Sequence, residues 1–270
     1  MLRRAGLGGL VDRAAGTVGG LAAARPTTVA GVRLAGNHPG QLYYIRELEK
    51  GRDRFLVELL ARFTPAGGAA VDAGAHIGFL TVQLARAAGP QGHVFAFEPE
   101  ARSREALTAN LERNSVAGHV TVFPHALGAG PGTATLHVGG GGETSSLAPL
   151  AGERGTAKVD VVALDGVLTE GQMVDVVKVD LEGGETAALR GMTGVLERSG
   201  DRPVLVTECH PARLAAMGSS EAELLALLAE LGFSARVIDE EGHALVDEIA
   251  VRGEYVNLLC TRRPLWPSGP

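Results

Sequence analysis

The sequence predicts an α/β fold built on a doubly wound, mostly parallel sheet with one antiparallel strand near the C-terminus. After residue 68, short runs of valine, leucine and alanine alternate with longer runs of helical periodicity. The short runs are apolar throughout, which is typical of strands buried on both faces. The first of them leads through a glycine turn into an apolar helix. These observations together predict βαβ units whose helices cover both faces of one sheet.

The predicted elements follow one another along the chain. Leucine and phenylalanine at helical spacing predict one helix over YYIRELEKGRDRFLVELLARF, residues 43–63, within an N-terminal helical extension. Strands are then predicted at AAVDA, HVFAFE, HVTVFPHAL, MVDVVKVDL, PVLVTEC, SARVID and YVNLLCT. Helices are predicted at FLTVQLARAA, ARSREALTANLERN, ETAALRGMTGVLERS and AELLALLAELG.

A β-hairpin insertion interrupts this alternation. GTATLHV and AKVDVVAL form its two strands, and the glycine run at 139–142 predicts a loop beside a site. We divide the chain into an N-terminal extension or cap, residues 1–54, and a main domain, residues 55–270. The extension carries nine Lys or Arg against four Asp or Glu. It is either a solvated segment or one that caps a substrate or binds a partner.

Composition limits the classes of partner. The net charge of −6 disfavours nucleic acid, and the chain has no apolar run of the length that a membrane span requires. We therefore expect a cytoplasmic protein with no membrane partner. Cys209 and Cys260 lie in strand-like runs, which predicts buried thiols rather than a disulfide. Tyr43 and Tyr44 could form a dimer contact, so a homo-oligomer is one expectation.

The glycine turn selects the kind of nucleotide. Gly74 and Gly78 are four residues apart and Asp72 precedes them, whereas a dinucleotide-binding turn requires G-x-G-x-x-G. A carboxylate at this position would repel a pyrophosphate but suits S-adenosylmethionine, which carries a sulfonium and an ammonium group. Glu98 ends the next predicted strand, where a carboxylate can accept hydrogen bonds from both ribose hydroxyls. The pattern therefore predicts a nucleoside-bearing cofactor.

A series of motifs resembles the FkbM family of S-adenosylmethionine-dependent methyltransferases. In chain order they are VDAGAHIG, VFAFEPE, NLERN, HAL, TSSL, VVALDGVL, VVKVDLEGGE, VLVTECHP and YVNLLC. They extend across residues 70–260, and KVDLEG-x-E followed by an apolar helix is the most specific of them. The resemblance implies a Rossmann-like methyltransferase sheet and S-adenosylmethionine as the methyl donor.

The resemblance also implies roles for individual residues. Glu98 would hold the ribose, and Ala126 and Leu127 would lie beside the adenine. The amino acid end of the cofactor would be cradled by Asp72, Gly74, His76 and Gly78.

Two positions of these motifs have a further interpretation. The family loop usually has Asn where this chain has His76, and an imidazole that titrates near neutrality would impose a pH preference. Asn114, in NLERN, either caps the preceding helix or serves the site, and we favour the cap.

Ionisable residues cluster at two neighbouring strand ends. In a continuous strand Lys178, Asp180 and Glu182 would point to one face, and so would Glu208 and His210 in the next strand. We assign catalytic roles to Asp180, Glu182, Glu208 and His210, with His210 as the leading general base. The alternative for His210 is a helix cap. Asp180, Glu208 and His210 could instead bind a divalent cation.

The function implied by the resemblance is O-methylation of a hydroxyl on a small-molecule natural product or sugar, with N-methylation as a variant. One alternative is an NAD-dependent oxidoreductase on the same sheet. Another is a non-catalytic binding module that retains the methyltransferase fold.

Overall fold

The computed structural model describes residues 25–139, 145–150, 152–247, 249 and 254–263. The strands in chain order are β1 (Thr27–Val29), β2 (Val32–Leu34), β3 (Ala69–Ala73), β4 (His93–Phe97), β5 (Val120–Phe123), β6 (Ala126–Leu127), β7 (Gly132–Val138), β8 (Gly155–Val162), β9 (Val176–Val179), β10 (Val204–Cys209), β11 (Ser234–Asp239), β12 (Ala244–Val246) and β13 (Val256–Thr261). The helices are α1 (Pro39–Glu49), α2 (Arg54–Phe63), α3 (Phe79–Ala88), α4 (Ala101–Arg113), α5 (Leu164–Val167), α6 (Glu185–Arg190), α7 (Thr193–Arg198), α8 (Pro211–Ala216) and α9 (Glu221–Glu230). A 3-10 turn at Ala117–His119 precedes β5.

The main sheet confirms the predicted fold class. Its order is β12-β11-β13-β10-β9-β3-β4-β5. Strands β5, β4, β3, β9 and β10 run parallel to one another. Strand β13 lies between β10 and β11 and is antiparallel to both. A short strand not predicted from the sequence, β12, adds a second antiparallel edge beside β11. Strand order reverses at β3, which pairs with β4 on one side and β9 on the other.

Helices pack on both faces of this sheet, as a doubly wound fold requires. One core cluster combines residues of β3 and β4 with α1, α2, α3 and α4. The opposite cluster combines the alternate residues of the same strands with α5, α6, α7, α8 and α9. Successive residues Ala70 and Val71 belong to different clusters, because side chains alternate across a strand. This double burial explains why the strands are apolar throughout.

The predicted hairpin insertion forms a small separate sheet. Strands β7 and β8 pair antiparallel, and β6 pairs parallel with β8. After the loop that follows β7, Ser146 forms an isolated β-bridge with His137, so the chain again pairs with the hairpin there. Residues 140–144, which include most of the predicted glycine loop, lie outside the described residues, as do residues 1–24 of the predicted N-terminal extension.

The single helix predicted over residues 43–63 is wrong. α1 ends at Glu49 and α2 begins at Arg54, with Gly51 at φ 102° and Asp53 at φ 60° between them. A distant carboxylate stabilises the new helix start, because Glu240 accepts the backbone N–H groups of Phe55 and Leu56. The apolar spacing continues across the break, so periodicity alone could not locate it.

Strands β1 and β2 pair antiparallel and form an N-terminal hairpin. Two asparagines of the NLERN motif bind this hairpin to α4. Asn114 exchanges two hydrogen bonds with the backbone of Arg33, and Asn110 exchanges two with the backbone of Ala35. Asn110 also donates to the carbonyl of Ile77, in the glycine loop. Asn114 donates to the Asn110 carbonyl at the end of α4, which confirms the predicted helix cap. Side chains one helical turn apart thus bind Arg33 within β2 and Ala35 directly after it, as a neighbouring strand would.

Two further expectations concern the chain as a whole. Both cysteines are free and buried, as predicted. Within the described residues, every helix is too short or too polar to cross a bilayer.

We predict that Asn110→Ala lowers the free energy of unfolding by about 2–3 kcal/mol, because it leaves buried backbone groups of Ala35 and Ile77 without partners. Chemical denaturation followed by circular dichroism measures the change. Thr108→Ala on the same helix is the control and should cost about 0.5 kcal/mol or less. Among the described residues, its exposed hydroxyl donates to the Arg104 carbonyl alone. Equal effects of the two substitutions would contradict the role assigned to Asn110.

Candidate active site

A cavity opens at the carboxyl ends of the parallel strands, where strand order reverses between β3 and β9. Ligands of doubly wound sheets bind at this position because the flanking loops diverge there. The loops after β3, β4 and β9, together with the end of β10, form its floor, and the α1–α2 region, the hairpin insertion and β13 form its walls. All predicted cofactor residues except Gly78 line it, as do Asp180, Glu182 and Glu208.

Lys178 lies at the centre of the cavity floor. Its ammonium donates to the carbonyls of Ala73 and Gly74, at 3.3 and 2.8 Å. It also contacts the carboxylates of Asp72, at 3.4 Å, and Asp180, at 3.6 Å. Burial alone would lower the pKa of Lys178, but Asp180 and Asp72 raise it above its ordinary value. The ammonium is therefore charged and joins the loop after β3 to the loop after β9.

Asp72 is engaged inside the protein. Its side chain is fully buried, it accepts a 2.6 Å hydrogen bond from the Thr81 hydroxyl, and it lies opposite Lys178 in the register of β3 and β9. The structure therefore gives Asp72 an indirect part in shaping the loop, because it holds Lys178 in place. Its predicted contact with the amino acid end of a cofactor stays a prediction.

Gly74 and Gly78 are required by the path of the chain. Both have positive φ, at 83° and 87°. A Cβ on Gly74 would lie 2.0 Å from the backbone oxygen of Asp180, and one on Gly78 would lie 2.4 Å from the Leu107 side chain. The glycines thus allow the loop to approach β9 and α4 closely.

Glu98 is held at the tip of β4 by two backbone groups. Its Oε2 accepts the His76 N–H at 2.7 Å and its Oε1 accepts the Glu100 N–H at 2.8 Å. Burial raises the pKa of Glu98 to about 7, against the opposite effect of these hydrogen bonds. Each carboxylate oxygen can accept a further hydrogen bond, and Glu98 lines the cavity. Glu98 therefore fits the predicted role of accepting ribose hydroxyls.

His76 occupies a left-handed backbone position, at φ 49°. Asn and His are among the residues that enter this region most readily, which explains why either can stand here. Its ring packs edge-on against Tyr44, with centroids 5.0 Å apart. Burial, and then Lys178, lower the pKa of His76 to about 4. The ring is therefore neutral near pH 7, and the condition for a pH preference near neutrality, titration of this ring, is not met.

Tyr43 and Tyr44 both line the cavity. The Tyr44 hydroxyl donates to Asp53 at 3.3 Å and its ring contacts His76. Tyr43 is 46% exposed. A homo-oligomer with a contact at these residues stays a prediction.

Ala126 and Leu127 form β6 and lie buried in the cavity wall. Their place beside an adenine stays a prediction. The preceding residue, His125, also lines this wall, and its Nδ1 is buried without a hydrogen-bond partner among the described residues. Sequence reasoning gave no role to His125, although it belongs to the same HAL motif.

The predicted shared strand face for Lys178, Asp180 and Glu182 is wrong, because β9 ends at Val179. Asp180 and Glu182 lie in the loop that follows, with Glu182 at φ 54°. Asp180 remains next to Lys178, whereas Glu182 forms a 2.8 Å ion pair with Arg213. The glycines of LEGG allow this sharp turn, which alternation along a strand could not reveal.

His210 does not share a strand face with Glu208. β10 ends at Cys209, and His210 is the N-cap of α8, with its Nδ1 accepting the Arg213 N–H at 3.4 Å. Its ring stacks on Tyr255, with centroids 6.2 Å apart. Among the described residues, the cavity wall includes Glu208 but not His210. The structure thus agrees with the helix-cap alternative for His210. The predicted cation ligands Asp180 and Glu208 are therefore left without the imidazole.

Glu185 takes the place that sequence reasoning gave to His210. Asp180, Glu185 and Glu208 each offer a carboxylate oxygen within 4.8 Å of the others. Burial raises the pKa of Glu185 to about 7, and burial and then Asp180 raise the pKa of Glu208 further. The KVDLEGGE motif contained the signal for Glu185, because a helix that starts directly after a turn brings its first residue back to the end of the preceding strand. We call Asp180, Glu185 and Glu208 the acidic cluster.

Comparison with known proteins gives a family and similar folds. A family model described as a methyltransferase FkbM domain matches residues 72–235. No curated protein sequence matches this chain.

Three solved structures illustrate the similar folds. A SAM-dependent O-methyltransferase from Thermotoga maritima is 16% identical, with a TM-score of 0.46, 80% of this chain and 66% of that chain covered. An rRNA methylase from Streptococcus thermophilus is 12% identical, with a TM-score of 0.48, 76% of this chain and 93% of that chain covered. TYW2 from M. jannaschii, in complex with AdoMet, is 13% identical, with a TM-score of 0.48, 90% of this chain and 86% of that chain covered.

We predict that His76→Asn leaves the free energy of unfolding nearly unchanged relative to His76→Val, which should lose about 1–3 kcal/mol more. Both substitutions remove the ring contact with Tyr44, but only valine is β-branched and strained at a positive φ. Urea denaturation of the two variants measures the difference. Equal stability would show that backbone strain at position 76 is not the constraint.

We predict that Glu98→Gln changes how stability depends on pH. The folded-state pKa of Glu98 is raised, so its contribution is fully present below about pH 4.5 and is lost as the pH rises through about 7. From pH 4 to pH 8 the variant should therefore gain up to about 3 kcal/mol in unfolding free energy relative to the wild type. Denaturation curves across this range measure the gain. Exposed Glu58→Gln is the control, and parallel profiles for Glu98→Gln and the wild type would contradict the prediction.

Proposed function

The chain belongs to the FkbM family of methyltransferases, and from this premise we propose that it methylates a hydroxyl group of a small molecule with S-adenosylmethionine as donor. The observation that carries the proposal is the position of Glu98. A buried carboxylate stands at the tip of the second strand of the βαβ unit and orients the glycine loop through the His76 N–H. This is where a nucleoside ribose is bound at the switch point of such a sheet.

The donor side of the cavity suits each part of the proposed cofactor. Glu98 accepts the ribose hydroxyls, the walls formed by Ala126 and Leu127 receive the adenine, and the loop after β3 surrounds the amino acid end. When bound, S-adenosylmethionine supplies an activated methyl group, which passes to the acceptor oxygen while the carbon–sulfur electron pair stays on sulfur. The chain itself aligns the two reactants.

The acidic cluster supplies the acceptor side. A hydroxyl must lose its proton on transfer, and a group with a raised pKa near the working pH promotes that loss best. Burial raises the pKa of Glu185 to about 7, which meets this condition, and Glu208 of the same cluster lines the cavity, whereas His210 caps a helix. We therefore assign the acceptor-side role to the acidic cluster, with Glu208 in place of His210.

The acceptor that we propose is a natural product or a sugar. The net charge of −6 disfavours a nucleic acid. Family membership leaves no support for an NAD-dependent oxidoreductase. The remaining alternatives are N-methylation and a binding module without catalysis, and activity measurements separate both from O-methylation.

We predict that the protein binds S-adenosylhomocysteine in calorimetric titration and does not bind NAD. Glu98→Ala should weaken this binding about 10- to 100-fold, because hydrogen bonds to a charged group are lost. Glu58→Gln, an exposed substitution, is the control.

The turnover of Glu208→Gln on hydroxylated acceptors should fall further than that of His210→Ala. Both variants should keep the wild-type affinity for S-adenosylhomocysteine.

Two outcomes would contradict this proposal. NAD binding, or unchanged affinity in Glu98→Ala, would remove the assignment of the donor side. A larger loss of turnover in His210→Ala than in Glu208→Gln would return the acceptor-side role to His210.

A further inference from the structure

We propose that the acidic cluster, Asp180, Glu185 and Glu208, binds one hard divalent cation such as Mg²⁺ at the edge of the cavity between β9 and β10. Carboxylate oxygens are the ligands that such cations prefer. The role of the ion in the reaction rests on the proposed function, whereas its binding can be measured alone.

The spacing of the carboxylates is that of a coordination sphere. One oxygen from each residue lies within 4.8 Å of the other two. Oxygens on opposite sides of one ion are about 4.2 Å apart for Mg²⁺ and about 5 Å apart for Ca²⁺. Separations of no more than 4.8 Å therefore allow one ion to contact all three side chains after small side-chain adjustments.

Two carboxylate oxygens of the acidic cluster have no hydrogen-bond partner among the described residues. Oε2 of Glu185 and Oε2 of Glu208 are buried without a hydrogen bond among the described residues. Glu185 is 0% exposed and Glu208 only 7%. An orphaned buried carboxylate oxygen is costly, and buried charges in proteins are paired or bind metal. A cation at this position satisfies both oxygens at once.

The nearby basic side chains are committed elsewhere. The Lys178 ammonium is shared between Asp72, Asp180 and two carbonyls, and Arg213 pairs with Glu182. Within the described part of the chain, Glu185 and Glu208 form no ion pair with Lys, Arg or His at 4.0 Å or less. Among the described residues, the cluster therefore has no basic side chain to compensate Glu185 and Glu208 when they are ionised, and a bound cation would do so.

Glu185 is already oriented for binding. Its Oε1 accepts the backbone N–H groups of Leu181 and Gly183, at 2.8 and 3.2 Å. These bonds fix the carboxylate at the start of α6 and direct its second oxygen to the cluster. Fixed ligands lose less conformational freedom on binding.

The ion would act on the acceptor. A hydroxyl oxygen bound to the cation becomes more acidic, because the cation stabilises the negative charge left when the proton departs to water. That oxygen then forms the new bond to the methyl carbon. Glu208 in this arrangement acts through the ion.

Electron paramagnetic resonance with Mn²⁺ as the probe tests the site on the full chain without cofactor. We expect one saturable Mn²⁺ per chain, displaced by excess Mg²⁺. Glu208→Gln and Glu185→Gln should each weaken binding about tenfold or more. Glutamine at 185 keeps an oxygen for the Leu181 and Gly183 N–H groups, and glutamine at 208 removes only a buried charge. Circular dichroism verifies the fold of each variant.

Glu182→Gln is the matched control. It removes the same charge from the neighbouring loop but leaves the acidic cluster intact, so it should change Mn²⁺ affinity less than about threefold. If all three variants weaken binding equally, or if the wild type binds no Mn²⁺, the cation site is overturned. S-adenosylhomocysteine titration of the same samples separates this result from failure of the proposed function.

Discussion

The buried ammonium of Lys178 is the interaction on which the rest of the site depends. It joins β3 to β9 at the point where strand order reverses, through Asp72 on one strand and Asp180 after the other. Its bonds to the Ala73 and Gly74 carbonyls also set the path of the glycine loop. Burying a lone charge would be very costly, so lysine and carboxylates can exist here only together. The floor of the cavity is therefore one electrostatic unit.

Two groups of acids surround this unit and differ in how they are satisfied. Glu98, on the donor side, is held by two backbone N–H groups, and Asp72 by Thr81 and Lys178. On the acceptor side Glu185 and Glu208 each keep an orphaned oxygen. Asp72 also has one oxygen without a hydrogen bond among the described residues, but that oxygen lies 3.4 Å from the Lys178 ammonium, whereas Glu185 and Glu208 form no ion pair with a described basic residue. Such a site lowers the stability of the free protein in exchange for binding.

The N-terminal region shows how the cavity acquires its outer wall. Asn110 and Asn114 hold β2 against α4, and α1 and α2 then pass over the glycine loop, where Tyr44 meets His76. Glu240, from the far edge of the sheet, stabilises the start of α2. Each contact joins residues far apart in sequence. The predicted helix over residues 43–63 was wrong for this reason, since a distant carboxylate stabilises the second helix start.

The sequence by itself determined the sheet, the hairpin insertion and the positions of the glycine loop and Glu98, because strand burial and loop glycines leave local patterns. It also determined which strand ends carry acids. Only the tertiary structure decided which of those acids meet. His210 belongs to the cap of α8, and Glu185 joins the acidic cluster, because the turn after β9 reverses the chain within a few residues. Alternation along a strand cannot describe a turn, since direction there depends on backbone angles and on packing against neighbouring strands.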